Sequence, residues 1–207
     1  MLEHSMLYPK TTLTRRRISM DGMWKFCLDE KAVGEKEGWM DGIPGEEMIP
    51  VPASFQDFYT EKDIREYTGD FWYETDFFVP GEWEGREILL RFGAATHRAG
   101  VYVNGILITE HEGGFLPFSA DVTTVVRYDS YNKVVVKVNI PCGETITLPN
   151  GKKMSKPYFD FFNYAGLQRS VYLLALPRES VVDFDLDYAI HGKNAEVSYQ
   201  VRTNGEH

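Results

Sequence analysis

The sequence predicts an all-β fold, two sheets packed face to face as a sandwich. Three observations lead there. Short apolar runs recur between Gly, Pro and Asn residues. Several of these runs alternate apolar and polar residues with the period of two that a half-buried strand needs. Helical patterning is weak throughout, and many half-buried strands need a second layer to cover them.

Each element has its own local warrant. "DGMWKFCLD" (21–29) starts after an Asp-Gly turn and reads as an early strand. "FWYETDFFVP" (71–80) is an aromatic-rich strand closed by Pro80, and "ILLRFGA" (88–94) is a strand bounded by glycine. "AGVYVNGILITE" (99–110) is the strongest signal. Asn104-Gly105 sits between two β-branched runs, and both residues tolerate the positive φ of a two-residue hairpin turn. In "NKVVVKVN" (132–139), Val134, Val136 and Val138 share one face, with Val135 and Lys137 on the other. "RSVYLLALP" (169–177) is a further strand. A short helix is expected within 54–67, with Ser54 as N-cap and Asp57 at the third helical position. A weaker one is expected in 30–42, where Gly34 and Gly38 count against it.

Near residue 178 the texture changes. Val182, Phe184, Leu186 and Tyr188 alternate with Asp183, Asp185 and Asp187. Val197, Tyr199 and Val201 share a face, and Gly192, Lys193 and Asn194 make a turn between the two runs. The domain reading is therefore 1–178 for the sandwich and 179–207 for the first hairpin of a second one.

Composition excludes several function classes. The chain has 207 residues, 43% of them hydrophobic, which suits a globular chain with a sizeable core. Its net charge of −9 disfavours nucleic acid as a partner. The basic run Arg15-Arg16-Arg17 is read as solvated surface. No apolar stretch is long enough to span a membrane, and the first twenty residues lack the apolar core of a secretory signal. Cys27 and Cys142 are sparse and far apart, which fits a cytoplasmic location. No histidine or cysteine spacing marks a metal site, and no cofactor is called for.

One stretch poses a chemical question. In "PYFDFFNYAGLQRSV" (157–171) the carboxylate of Asp160 sits among Tyr158, Phe159, Phe161, Phe162 and Tyr164. A buried, unpaired carboxylate is costly, so Asp160 is paired, or lies on a surface loop, or is held for a ligand; the structural reading is a turn cap above core aromatics. Gly166 is read as supplying a free φ at the turn into the next strand, and Arg169 as pairing with a carboxylate of the same sandwich. His97-Arg98 and His111-Glu112 are read as hydrogen-bonded loop residues. Gly113-Gly114 precedes no helix and is not a phosphate loop. Trp24, Trp39, Trp72 and Trp83 are read as core rather than as a sugar platform. No pair of carboxylates is marked as a catalytic dyad.

Six stretches, in order, resemble the N-terminal part of family 2 glycoside hydrolases, most closely the β-glucuronidases. They are "DGMWKF", "VPASFQDF", "GDFWYETDFFVP", "RFGAATHRAGVYVNG", "HEGGFLPFSADVT" and "DFFNYAGLQRSV", and they cover almost all of residues 20–177. The resemblance implies a jelly-roll sandwich like galactose-binding domains, then an immunoglobulin-like sandwich and a catalytic barrel with two glutamates. It implies retaining hydrolysis of β-glycosides, with no catalytic residue in the present stretch and no metal. It also implies that Asp160 reaches the substrate pocket and accepts hydrogen bonds from a glucuronide-like sugar. The parent is then expected to be a homo-oligomer, and the isolated chain to be inactive. The alternative is a free-standing carbohydrate-binding module.

Overall fold

A computed structural model describes residues 8–140, 145–147, 153–155 and 164–205. In chain order the strands are β1 (Arg16–Ser19), β2 (Gly22–Asp29), β3 (Met48–Val51), β4 (Gly69–Val79) and β5 (Glu87–Phe92). They continue with β6 (Arg98–Val103), β7 (Ile106–Glu112), β8 (Phe118–Asp121), β9 (Ser130–Ile140) and β10 (Thr145–Thr147). The last are β11 (Lys153–Ser155), β12 (Val171–Leu176), β13 (Val181–His191) and β14 (Asn194–Thr203). Helical structure is confined to single turns, of which Lys62–Arg65 is the α-helical one.

Two open antiparallel sheets form the sandwich. The larger runs β3-β2-β4-β9-β6-β7 and the smaller β1-β12-β5-β8. The long central pair is β4 with β9, in register from Gly69↔Ile140 to Val79↔Ser130. Val134, Val136 and Val138 point into the space between the sheets, as their alternation predicts, and are fully buried there. Phe26, Phe55, Phe71 and Tyr73 fill one end, with ring centroids 5.0–6.0 Å apart. Each such aromatic pair adds about 1 kcal/mol beyond the area it buries.

The turn between β6 and β7 has φ +50° at Asn104 and +82° at Gly105, the two positive values the Asn-Gly pair predicts. Asn104 does more than turn the chain. Its Nδ2 donates to Asn132 Oδ1 (2.9 Å), and its Oδ1 accepts from the Lys133 amide (3.1 Å). Asn132, 1% exposed, also accepts from the Arg127 amide and donates to the Arg127 carbonyl, both at 2.8 Å.

Residues 30–43 form turns and a short 3-10 turn rather than a helix. They cover the outer face of the larger sheet, where Trp39 and Ile43 pack on Trp72, Tyr102 and Val135. Buried Asp29 ties this cover down by accepting from the amides of Val33 and Gly34, both at 2.8 Å. The helix expected in 54–67 is broken into a 3-10 turn at Phe55–Asp57 and the turn at Lys62–Arg65. Ser54 is not its cap: its hydroxyl donates to Gln56 Oε1 at 2.7 Å. All four tryptophans are buried, as read.

The basic run is not uniformly solvated. Arg17 lies 4.8 Å from the Tyr172 ring centroid and 5.5 Å from that of Tyr8, and donates to the Pro9 carbonyl. The hairpin β13–β14 turns at Gly192 and pairs Phe184 with Val201, Leu186 with Tyr199 and Tyr188 with Val197. These side chains are 46–76% exposed, so the ribbon has a large uncovered apolar face.

Candidate functional site

β9 ends at Ile140 and the chain is described again as part of the sandwich from 164, with Asp160 in between. Asp160, with Tyr158, Phe159, Phe161, Phe162 and Asn163, lies outside the described residues. Of that stretch, β10 pairs antiparallel with β11. The structure does describe the stem, residues 164–169, that carries the chain back to β12.

Three separate parts of the chain hold this stem. The amides of Ala53 and Phe55 donate to the carbonyls of Leu167 (2.9 Å) and Ala165 (3.2 Å). The Thr96 amide donates to the Gly166 carbonyl at 3.1 Å. The Ala165 amide donates to Gln56 Oε1 at 2.9 Å, and the Thr96 hydroxyl lies 2.7 Å from the Gly114 carbonyl and 3.0 Å from Gln168 Oε1. Gln168 Nε2 donates to the Tyr164 carbonyl at 2.6 Å. Gln56 and Thr96 are buried, where an unmade hydrogen bond costs about 1–3 kcal/mol. These bonds tie the stem's path to the 53–56 segment and to Thr96.

Gly166 behaves as read. Its φ is +132°, and a Cβ there would stand 2.6 Å from the Tyr73 hydroxyl and 2.8 Å from the Ala53 carbonyl oxygen. Tyr73 is fully buried, and burial pushes its phenol well above the ordinary value of 10.0. Arg169, read as pairing with a carboxylate, donates its guanidinium to the Phe115 carbonyl at 3.3 Å, and among the described residues no carboxylate pairs with it. The loops around the stem expose Phe58, Phe115, Leu116 and Tyr164, each 40–62% accessible. Such a rim suits contact with further protein.

The other sequence candidates stay apart from any reactive grouping. Arg98 pairs with Glu112 at 3.1 Å on the exposed edge, and His111 stacks on Phe118 and contacts the Gly113 carbonyl through Nε2 at 3.0 Å. The His97 ring meets Phe115 edge-on. Among the described residues no His, Cys, Asp or Glu cluster is arranged to hold a metal ion. Among the same residues no helix is long and apolar enough to cross a membrane. Sequence reasoning missed Gln56, Thr96 and Tyr73 as holders of the stem. They contact it across 109 positions in the case of Gln56 and Ala165, a separation that leaves no local signal.

The comparisons with known proteins agree with this architecture. The family model described as glycosyl hydrolases family 2, sugar binding domain, matches residues 18–177. A beta-glucuronidase of Paenibacillus borealis is 37% identical over 95% of this chain and 35% of its own length. The Homo sapiens beta-glucuronidase is 33% identical over 99% of this chain and 35% of its own. The crystal structure of Ruminococcus gnavus beta-glucuronidase superposes with a TM-score of 0.93 at 54% identity, over 100% of this chain and 37% of that one. The same enzyme in complex with D-glucuronic acid also gives 0.93. The chain therefore spans little more than a third of the proteins it resembles, and it belongs to family 2 of the glycosyl hydrolases, with residues 18–177 as the sugar-binding domain.

Proposed function

We propose that this chain is the non-catalytic N-terminal part of a β-glucuronidase-like hydrolase that works in the cytoplasm as a homo-oligomer. The observation that carries the reading is the coverage. The chain aligns over 99% of its length with only 35% of a full-length beta-glucuronidase. A retaining glycosidase needs an acid and a nucleophile about 5 Å apart. Here both are supplied by protein outside this stretch, and residues 179–207 begin an immunoglobulin-like sandwich that leads towards it. The uncovered apolar face of β13–β14 supports that continuation, because two strands alone are marginally stable.

In this reading Asp160 is the sandwich's contribution to substrate binding. Its carboxylate accepts hydrogen bonds from hydroxyls of a glucuronide, with the added strength of an ionised acceptor. The stem at 164–169 anchors that stretch of chain, and the exposed rim of Phe115, Leu116 and Tyr164 seats against the catalytic part.

The test uses the open reading frame that contains this chain. Hydrolysis of nitrophenyl β-glucuronide is compared with that of nitrophenyl β-galactoside, with and without Asp160→Ala. Glucuronide turnover is expected, and the substitution lowers kcat/KM by about 10- to 150-fold, the loss of one or two charge-assisted bonds. Turnover of neither glycoside would favour the free-standing carbohydrate-binding module. Unchanged kcat/KM in the variant would return Asp160 to a turn-capping role.

A further inference from the structure

An arm, residues 8–15, precedes β1 and lies on the outer face of the smaller sheet. Both of its ends are tied to the sandwich. The Tyr8 hydroxyl lies 2.8 Å from that of Tyr172, and the Arg17 guanidinium stands over both rings and donates to the Pro9 carbonyl at 3.0 Å. At the other end Arg86 donates to the Thr14 carbonyl at 2.7 Å. The Thr12 hydroxyl accepts from the amides of Thr14 and Arg15, which closes a turn there. From this turn the arm reaches the ribbon β13–β14. Arg15 Nη2 donates at 2.7 Å to the carbonyl of Val181, the first residue of β13.

The ribbon does not dock on the sandwich by apolar packing. Among the described residues none of β13 or β14 belongs to a buried apolar cluster. A cavity of about 240 Å³ lies between the arm and the start of β13. Two other bonds cross the joint. Arg178 donates to the Gly85 carbonyl at 2.9 Å, and Asn204 Nδ2 donates to Glu87 Oε2 at 3.4 Å. Arg178 stands before β13 and Asn204 after β14, so of the three bonds only that of Arg15 reaches a strand of the ribbon.

We propose that the arm is a strap that holds the ribbon β13–β14 on the sandwich. Its bonds form one chain of contacts from Tyr172 through Tyr8, the 12–15 turn and Arg15 to Val181. Two strands alone are marginally stable, so a ribbon released from the strap frays and its amides exchange with solvent. One net hydrogen bond shifts such an opening equilibrium by about three- to tenfold. In a longer protein the strap would set where the part beyond the ribbon stands relative to the sandwich. That extension rests on the function proposed above, whereas the strap itself is tested without it.

Amide hydrogen exchange is measured on the 207-residue chain, on Arg15→Ala, on Tyr8→Ala/Arg15→Ala and on Lys10→Ala as the control within the arm. Tyr8 is 62% exposed and none of these side chains belongs to the core, so the fold is retained, which a thermal melt verifies. The amides of 181–203 are expected to exchange about three- to tenfold faster in Arg15→Ala and faster still in the double variant. The amides of β9 and the whole of Lys10→Ala keep their rates. Unchanged exchange of the ribbon in the double variant would overturn the proposal. So would an equal gain across β9, which marks general destabilisation, or an equal gain in Lys10→Ala.

Discussion

Replacing Gly166 by alanine places a methyl group where the fold has no room. The added Cβ stands 2.6 Å from the Tyr73 hydroxyl and 2.8 Å from the Ala53 carbonyl oxygen, closer than real Cβ contacts come. One neighbour is a fully buried ring and the other is backbone, so neither can swing aside. The residue is also held at φ +132°, which side chains other than glycine avoid. Backbone strain of about 1–3 kcal/mol and overpacking of about 1–3 kcal/mol give a destabilisation of about 4 kcal/mol. For a chain of this size that lowers Tm by about 8–16 °C. The assay is urea unfolding followed by tryptophan fluorescence, since all four tryptophans are buried. Adding Tyr73→Phe removes the hydroxyl contact and recovers part of the loss, while the Ala53 contact and the φ remain. If the proposed function holds, Gly166→Ala in the longer protein lowers glucuronide turnover even at temperatures where the protein is folded, because the stem shifts. A loss below about 0.5 kcal/mol would refute the claim that the close approach of backbone and ring dictates glycine here.

Asn132→Ala removes two acceptor contacts and a donor from a buried network and is expected to cost about 2–4 kcal/mol, read as a shift in the urea midpoint at constant slope. Asp29→Ala frees the amides of Val33 and Gly34 and loosens the cover of residues 30–43. Amide hydrogen exchange across that segment should quicken while the Val134–Val138 core stays protected. The buried Tyr73 phenol has its folded pKa raised above the unfolded 10.0, so the native state holds the proton longer. Its share of stability is intact below pH 10 and falls as pH rises beyond it, by up to about 1.4 kcal/mol per pH unit. Tyr73→Phe should flatten the alkaline loss of Tm, and an unchanged slope would assign that loss to other groups.

Fold class, strand faces and family can all be read from short local stretches of the chain. Those features are local: the Asn104-Gly105 turn needs two positive φ values, and the valines of β9 alternate because one face is buried and the other is not. Five strands escaped notice: β10 and β11, of three residues each, and β1, β3 and β8, edge strands of the sandwich with four residues each, too short to show a period. Pairing with β12, β2 and β5 makes β1, β3 and β8 strands. The expected helix in 54–67 failed for a tertiary reason. The Ser54 hydroxyl is turned to Gln56 Oε1, which also accepts from the Ala165 amide, so Ser54 does not cap the first turn, and the Phe55 amide, free at any helix start, donates to the Ala165 carbonyl. Among the described residues Arg169 meets the Phe115 carbonyl rather than the expected carboxylate, because the loop at 113–117 folds beside it. Tertiary structure alone gathered Gln56, Tyr73, Thr96 and Gly114 around the stem. Contacts between residues this far apart in the chain depend on how sheets stack and strands register, and neither is written in any local window of residues.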